Sequence, residues 1–167
     1  MNYPNFRLYV DLDDTLCDWT KGVRKLGPVP SEGLLDGATK EQKQKMYDAI
    51  ESKGPDWWAD LEWLPDGKDT WNIFKKYKPT ILTSPGLFKS APAGKETWVM
   101  NNIPGTPLFL SDHKSEYVDP YETCILVDDN LNNIEAWTKV GGVGILHKTA
   151  EETEKKFLEI LWKNKPI

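Results

Sequence analysis

The sequence predicts an α/β protein: a mainly parallel, Rossmann-like sheet with helices on both faces and a small helical cap inserted after the first strand. Three observations predict it. From Pro79 onward, short apolar runs alternate with helical segments, the pattern of strand-helix-strand units in a parallel sheet. Three apolar runs, one of them the first strand, end in polar chemistry, at Asp11 and Asp13, at Thr83 and Ser84, and at Asp128 and Asp129. Residues 17–75, between the first and second strands, read as mostly helical and are too many for one crossover. The expected division is an α/β core of residues 1–16 and 76–167 with a helical cap of residues 17–75.

The first strand begins at Phe6 and runs through Val10, an apolar stretch bounded by turn residues. Asp11 and Asp13 are two apart, so an extended chain sends both side chains to the same side and Asp14 elsewhere. The competing structural reading is a cap, with Asp13 or Asp14 starting a helix through Thr15-Leu16. Cys17 to Leu26 reads as a helix stopped by Gly27-Pro28, and Val29 to Gly33 as a loop. Thr39 is an N-cap with Gln42 at the capping-box position, for a helix running through Met46, Tyr47 and Ile50 to Lys53. Gly54-Pro55 ends it. Asp56 to Leu64 is aromatic and acidic with one helical turn, and Asp69 to Tyr77 is a helix turning Trp71, Ile73 and Phe74 toward a core.

The second strand is Thr80 to Ser84, broken by Pro85-Gly86. A helix opened by Lys95 runs to Asn102, and Pro107 to Ser111 is the third strand. Thr123 to Asp129 is the fourth strand, Asn130 to Lys139 a helix, and Val143 to Leu146 the fifth strand. Ala150 to Lys163 closes the chain as a helix with Phe157, Ile160 and Leu161 on one face.

Composition narrows the function. With 167 residues, 39% of them hydrophobic and 28% charged, the chain suits one soluble domain with a small insertion. A net charge of -5 argues against an extended nucleic-acid groove, while a small phosphorylated ligand can still be held by a metal and one or two lysines. Cys17 and Cys124 form neither a metal spacing nor a disulfide framework, so they are expected reduced in a cytoplasmic protein. No secretory signal opens the sequence, and no apolar run reaches the ~20 residues of a membrane span.

Carboxylates, a hydroxyl and a lysine at strand C-terminal ends meet at one edge of a parallel sheet. Carboxylates alone suit Mg²⁺, a hard cation taking oxygen ligands, and no histidine cluster suits zinc. Thr83 and a lysine beside such a metal would hold phosphate oxygens. Lys95 is the expected lysine; Lys114, in Ser111-Asp112-His113-Lys114, is its rival.

With Val10 to Thr15 as a first motif, Ile81-Leu82-Thr83 as a second, Lys95 as a third and Val127-Asp128-Asp129 as a fourth, the chain resembles the haloacid-dehalogenase (HAD) superfamily of phosphotransferases. The resemblance implies that Asp11 attacks phosphorus, and that Asp13 protonates the leaving oxygen and then deprotonates water. It implies Mg²⁺ on the Asp11 carboxylate, the Asp13 carbonyl and Asp129, with Asp128 nearby, and phosphoryl oxygens on Thr83 and Lys95. The chain departs from the family where many members carry another acid and it has Asn132-Asn133, which leaves both Asp128 and Asp129 in play as the ligand, Asp129 being favoured.

Ile50 to Lys53 leading to Leu64-Pro65-Asp66-Gly67, then Leu82 to Pro85, then Asp112-His113-Lys114, are similar to the 5'(3')-deoxyribonucleotidases of that superfamily. That likeness implies a small phosphorylated substrate, a deoxynucleoside monophosphate, with its base stacked on cap aromatics: Trp19, Trp57, Trp58 or Trp63. Trp57 and Trp58 are the leading candidates, because adjacent residues on one turn do not easily both face inward; Ser84 and Lys114 join them as substrate contacts. Each Trp also has a packing reading, since a small helical cap needs large side chains. His113 and His147 read as loop residues, Asn130 as a helix cap, and Asp112 and Asp119 as surface turns.

Two other functions are compatible. One keeps the chemistry on a sugar phosphate or another small metabolite. The other is a receiver-type phosphoacceptor domain with Asp112 after the third strand as acceptor, although the motif order and the helical insert argue against it. Base preference and oligomeric state are not legible in the sequence.

Overall fold

In the computed structural model the described residues are 6–27 and 38–163. Five strands form one parallel sheet: β1 (Phe6–Val10), β2 (Thr80–Thr83), β3 (Leu108–Leu110), β4 (Thr123–Asp128) and β5 (Val143–Leu146). Their order is β3-β2-β1-β4-β5. The chain therefore leaves β1 to one side for β2 and β3, then returns to its other side for β4 and β5. The Rossmann-like α/β expectation holds.

Helices cover both faces, as the alternation of side chains along each strand requires. Leu8, Val10, Ile81, Ile125, Val127 and Ile145 pack on one face with Phe74, Trp98 and Phe157 from helices α4 (Gly67–Phe74), α5 (Ala91–Asn102) and α7 (Ala150–Lys163). Tyr9, Leu82, Cys124 and Leu126 point the other way, against Ile134 and Trp137 of α6 (Leu131–Lys139). Helices α1 (Trp19–Arg24), α2 (Lys40–Lys53) and α3 (Pro55–Ala59) follow β1. Their apolar residues Val23, Met46, Ile50 and Trp58 join the first cluster, so these helices share a core with the sheet. Helix α4 packs on α7 through Phe74 and Phe157, ring centroids 5.1 Å apart. Among the described residues no helix is long and apolar enough to cross a membrane.

The capping box of α2 forms: Gln42 N donates to Thr39 Oγ1 and Thr39 N to Gln42 Oε1. Asn130 caps α6 through Asn132 N at 2.9 Å. Strands β2, β3 and β4 are trimmed by one residue at one or both ends, and helices α1, α4 and α5 differ more from the sequence reading. Helix α1 starts at Trp19 rather than Cys17, because Cys17 is bridged to Asp13 and Trp63 and Asp18 caps the helix instead. Helix α5 starts at Ala91, so Lys95 lies in its second turn rather than opening it; Pro92 sits in the first turn, where its fixed φ suits a helix. Helix α4 spans Gly67–Phe74 and tightens into a 3-10 turn over Lys75–Tyr77. The expected loop at 29–33 lies outside the described residues.

Candidate active site

Strand register assembles the site. Val10 pairs with Ile81 on one side and Val127 on the other. Asp11 N then donates to Val127 O at 2.9 Å, so Asp11 stands level with Asp128 just past the end of the sheet. The strand order reverses beside β1, and ligands of open α/β sheets collect in such a crevice. Beyond Asp11 the chain folds back, with Leu16 N and Cys17 N both donating to Leu12 O. Asp14 takes φ 51, a left-handed conformation that aspartate tolerates better than most residues. Its carboxylate turns away to accept from Thr20 N at 2.9 Å and Thr20 Oγ1 at 2.7 Å. No helix forms through Thr15-Leu16, so the cap reading of the acids fails there.

Asp11, Asp128 and Asp129 each offer a carboxylate oxygen within 4.8 Å of the others. Asp11 and Asp128 are buried; Asp129 is exposed. Lys114 Nζ stands between the buried two, 2.7 Å from Asp11 Oδ1 and 2.6 Å from Asp128 Oδ2. Asp11 Oδ1 is nevertheless buried without an aligned hydrogen-bond donor. Asp128 is filled: Asn130 N donates to Oδ1 at 2.8 Å, and Asn133 Nδ2 reaches Oδ1 at 3.2 Å and Oδ2 at 3.0 Å. Asp129 Oδ1 has Thr15 Oγ1 at 3.5 Å.

The electrostatics follow from this crowding. Burial, then Asp11, push Asp128 above the ordinary carboxylate range, against the pull of Lys114. Partial loss of hydration, then repulsion by Asp11, Asp128 and Asp14, push the Asp129 carboxyl above the ordinary range. Burial would lower the Lys114 ammonium, but Asp11 and Asp128 more than offset it and hold it above its usual value. Three carboxylates within 4.8 Å of one another, with Asp128 and Asp129 raised by burial and by their neighbours' charge, fit a hard divalent cation such as Mg²⁺, which cancels that repulsion.

A second cation serves the second acid. Lys95 is 1% exposed, and its Nζ donates to Asp13 Oδ2 at 2.5 Å, Thr83 Oγ1 at 2.9 Å and Ser84 O at 2.6 Å. Cys17 Sγ donates to the other Asp13 oxygen at 3.5 Å. Lys95 and Lys114, read as rivals in the sequence, are thus both present, each on a different carboxylate.

Asp11, Asp13, Thr83, Lys95, Lys114, Asp128 and Asp129 converge on one sheet edge. Ser84 contributes its carbonyl; its hydroxyl donates instead to Asp112 and accepts from Gly86 N, closing the loop after β2. Asp112, bound in that turn, lies outside the acidic cluster. Trp58 is 2% exposed, with Nε1 on Ser90 Oγ and its ring 5.1 Å from Lys95 Nζ, so it packs over the lysine and has no open face. Trp57 is half-buried and lines a cleft of about 430 Å³ with Gly22, Leu61, Lys53 and the Lys21–Glu62 pair. His147, expected in a loop, is buried with Nδ1 2.9 Å from Thr153 Oγ1. Sequence reasoning gave no role to Cys17 or Thr15 and noted Asn133 only as a departure from the family's usual acid. Only Asn133 carries a signal, standing in the first turns of the helix that follows the acid pair.

Fold and site together define a parallel α/β protein with a carboxylate-and-lysine centre at the switch point of its sheet. No family model matches the chain, and no curated protein matches it. Among solved structures it is similar to a hydrolase from Pseudomonas syringae, at 16% identity and a TM-score of 0.49 over 90% of each chain. It is also similar to a HAD family enzyme from Bacteroides thetaiotaomicron, solved as a magnesium complex, at 15% identity and a TM-score of 0.48, over 90% of this chain and 97% of that one.

Proposed function

We propose that the protein is a Mg²⁺-dependent phosphomonoesterase of the HAD type, hydrolysing deoxynucleoside 5'-monophosphates through an aspartyl phosphate. The observation that carries this reading is the pairing of two strand-end acids with two buried lysines: Asp11 with Lys114, and Asp13 with Lys95. Asp11 is the buried nucleophile, set at the switch point with one oxygen lacking an aligned donor. It attacks phosphorus while Asp13 gives its proton to the departing ester oxygen, and the phosphorus-oxygen ester bond breaks. Asp13 then takes a proton from water, whose oxygen attacks phosphorus and releases phosphate from Asp11. Thr83 Oγ1, 2.9 Å from Lys95 Nζ, donates to one transferring phosphoryl oxygen, and the Lys95 ammonium turns one N–H from Asp13 to another.

Asp11, the Asp13 backbone carbonyl and Asp129 would hold the metal. Asp128, filled by Lys114, Asn130 and Asn133, orients Lys114 rather than ligating. When bound, Mg²⁺ offsets the charge gathering on the phosphoryl oxygens. The nucleotide preference draws on the sequence likeness; the cleft beside Trp57 is lined by none of the acids or lysines of the site. Two buried free thiols, Cys17 and Cys124, support a reducing, cytoplasmic setting.

The test is hydrolysis of p-nitrophenyl phosphate with Mg²⁺, its loss on chelation, and its loss in Asp11→Asn with the circular dichroism spectrum unchanged. Wild-type turnover in that variant, or a phosphoryl group trapped on Asp112, overturns the mechanism. A panel of dUMP and dTMP against hexose phosphates tests the substrate; faster turnover of the sugars assigns the site to them.

A further inference from the structure

The Lys95 ammonium is held from behind by the helices that follow β1. All three of its N–H bonds are used, on Asp13, Thr83 and the Ser84 carbonyl. The Trp58 ring of α3 covers it, 5.1 Å from centroid to Nζ. Trp58 is fixed in turn, because its Nε1 donates to Ser90 Oγ at 3.0 Å. Glu51 of α2 accepts from Ser90 N and from Ser90 Oγ, both at 3.1 Å. Ser90 precedes the first residue of α5, so the Glu51 carboxylate also meets the positive end of that helix.

The backbone closes the arrangement. A side chain at Gly94 would collide with Pro55 O and Trp58 Cβ, so α3 lies directly on α5 next to Lys95. A tryptophan in a small core needs only apolar neighbours and one acceptor. Here the ring lies over the lysine, and its Nε1 is held from the other side by Ser90 and Glu51.

We propose that Glu51, Ser90 and Trp58 are positioning residues that fix the Lys95 ammonium between Asp13 and Thr83, making the docking of α2 and α3 on α5 a condition of phosphoryl binding. The phosphoryl half of this rests on the function proposed above; the positioning half does not. Removing any link frees the ammonium to swing away from Thr83.

The experiment uses the full chain and the variants S90A, E51Q, W58L and K95M, with E41Q as a control at an exposed position on α2. The first readout is the Lys95 ammonium signal in ¹⁵N-lysine NMR, assigned by its loss in K95M and displaced by the Trp58 ring. The second is inorganic phosphate affinity with Mg²⁺ by calorimetry, alongside kcat and KM for p-nitrophenyl phosphate. S90A and E51Q should move the lysine signal and weaken phosphate binding about 10-fold, as for outer-shell partners generally. In the K95M background the same substitutions should add nothing, a non-additivity that a purely structural loss would not produce.

A lysine signal unmoved in S90A, E51Q and W58L overturns the proposal, as do losses that persist undiminished in K95M. A shifted signal in a protein that hydrolyses no phosphate ester upholds the positioning chain and overturns the phosphatase instead. S90A serves if W58L fails to fold.

Discussion

Asn133 donates its side-chain amide to both carboxylate oxygens of Asp128, at 3.2 and 3.0 Å. With Lys114 and the Asn130 amide, it engages both carboxylate oxygens of Asp128. Asp129 keeps its carboxylate open. Mg²⁺ at about 100 times its Kd should therefore raise wild-type stability by about 2.7 kcal/mol. Asp129→Asn should abolish that rise, whereas Asn133→Ala should weaken Mg²⁺ affinity about 10-fold through a loosened Asp128. Thermal unfolding with Mg²⁺ and then with a chelator measures both; a full Mg²⁺ effect in Asp129→Asn would assign the metal elsewhere.

Lys114 pairs with two buried acids at once. Lys114→Met leaves them facing each other and should cost on the order of 3 kcal/mol in metal-free protein. Mg²⁺ should restore part of the loss by supplying the missing positive charge. Urea unfolding with and without Mg²⁺ tests this, and equal losses in the two conditions would show that the lysine and the metal do not share the acids.

Gly94 is needed for space, not for backbone freedom. A methyl there meets the Pro55 carbonyl and Trp58, neither of which is the end of a flexible chain. Gly94→Ala should cost about 1–3 kcal/mol by overpacking, against the gain that alanine normally brings to a helix interior. A stabilised variant in denaturant titration would mean that α3 does not lie on α5.

Burial lowers the His147 imidazole below its ordinary value of 6.5, more than Asp66 raises it. The unfolded chain then takes up the proton more readily than the folded one. Stability should be full above about pH 6.5 and fall as pH drops through the lower folded value. His147→Asn should flatten that limb of the urea-midpoint profile between pH 8 and 5; an unchanged slope would assign the acid sensitivity to the carboxylates.

Sequence pattern carried the sheet and the acids because both are local. A buried parallel strand is a continuous apolar run, and Asp11, Thr83 and Asp128 declare themselves by ending such runs. The start of α5 was misjudged because Pro92 looks like a loop residue yet fits a first turn. The sequence sets Lys95 and Lys114 as rivals; in the fold Lys95 pairs with Asp13 and Lys114 with Asp11 and Asp128, the first a contact across 82 residues that no local pattern signals. Trp58 looked available for stacking because nothing near it in sequence suggests Ser90, 32 residues away, or Glu51 behind it. Cys17 on Asp13 is hidden for another reason: a thiol in an apolar run reads as packing.

The order of the strands also bears on biosynthesis. Strand β1 carries the proposed nucleophile, but its hydrogen-bonded neighbours are β2 and β4, the latter beginning at Thr123. A nascent polypeptide cannot complete the centre until Lys114, Asp128 and Asp129 have emerged from the ribosome, and such long-range pairing is slow to form. Premature termination anywhere before Asp128 would leave an unpaired apolar strand edge and no assembled carboxylate-and-lysine centre, a product fit for proteolysis.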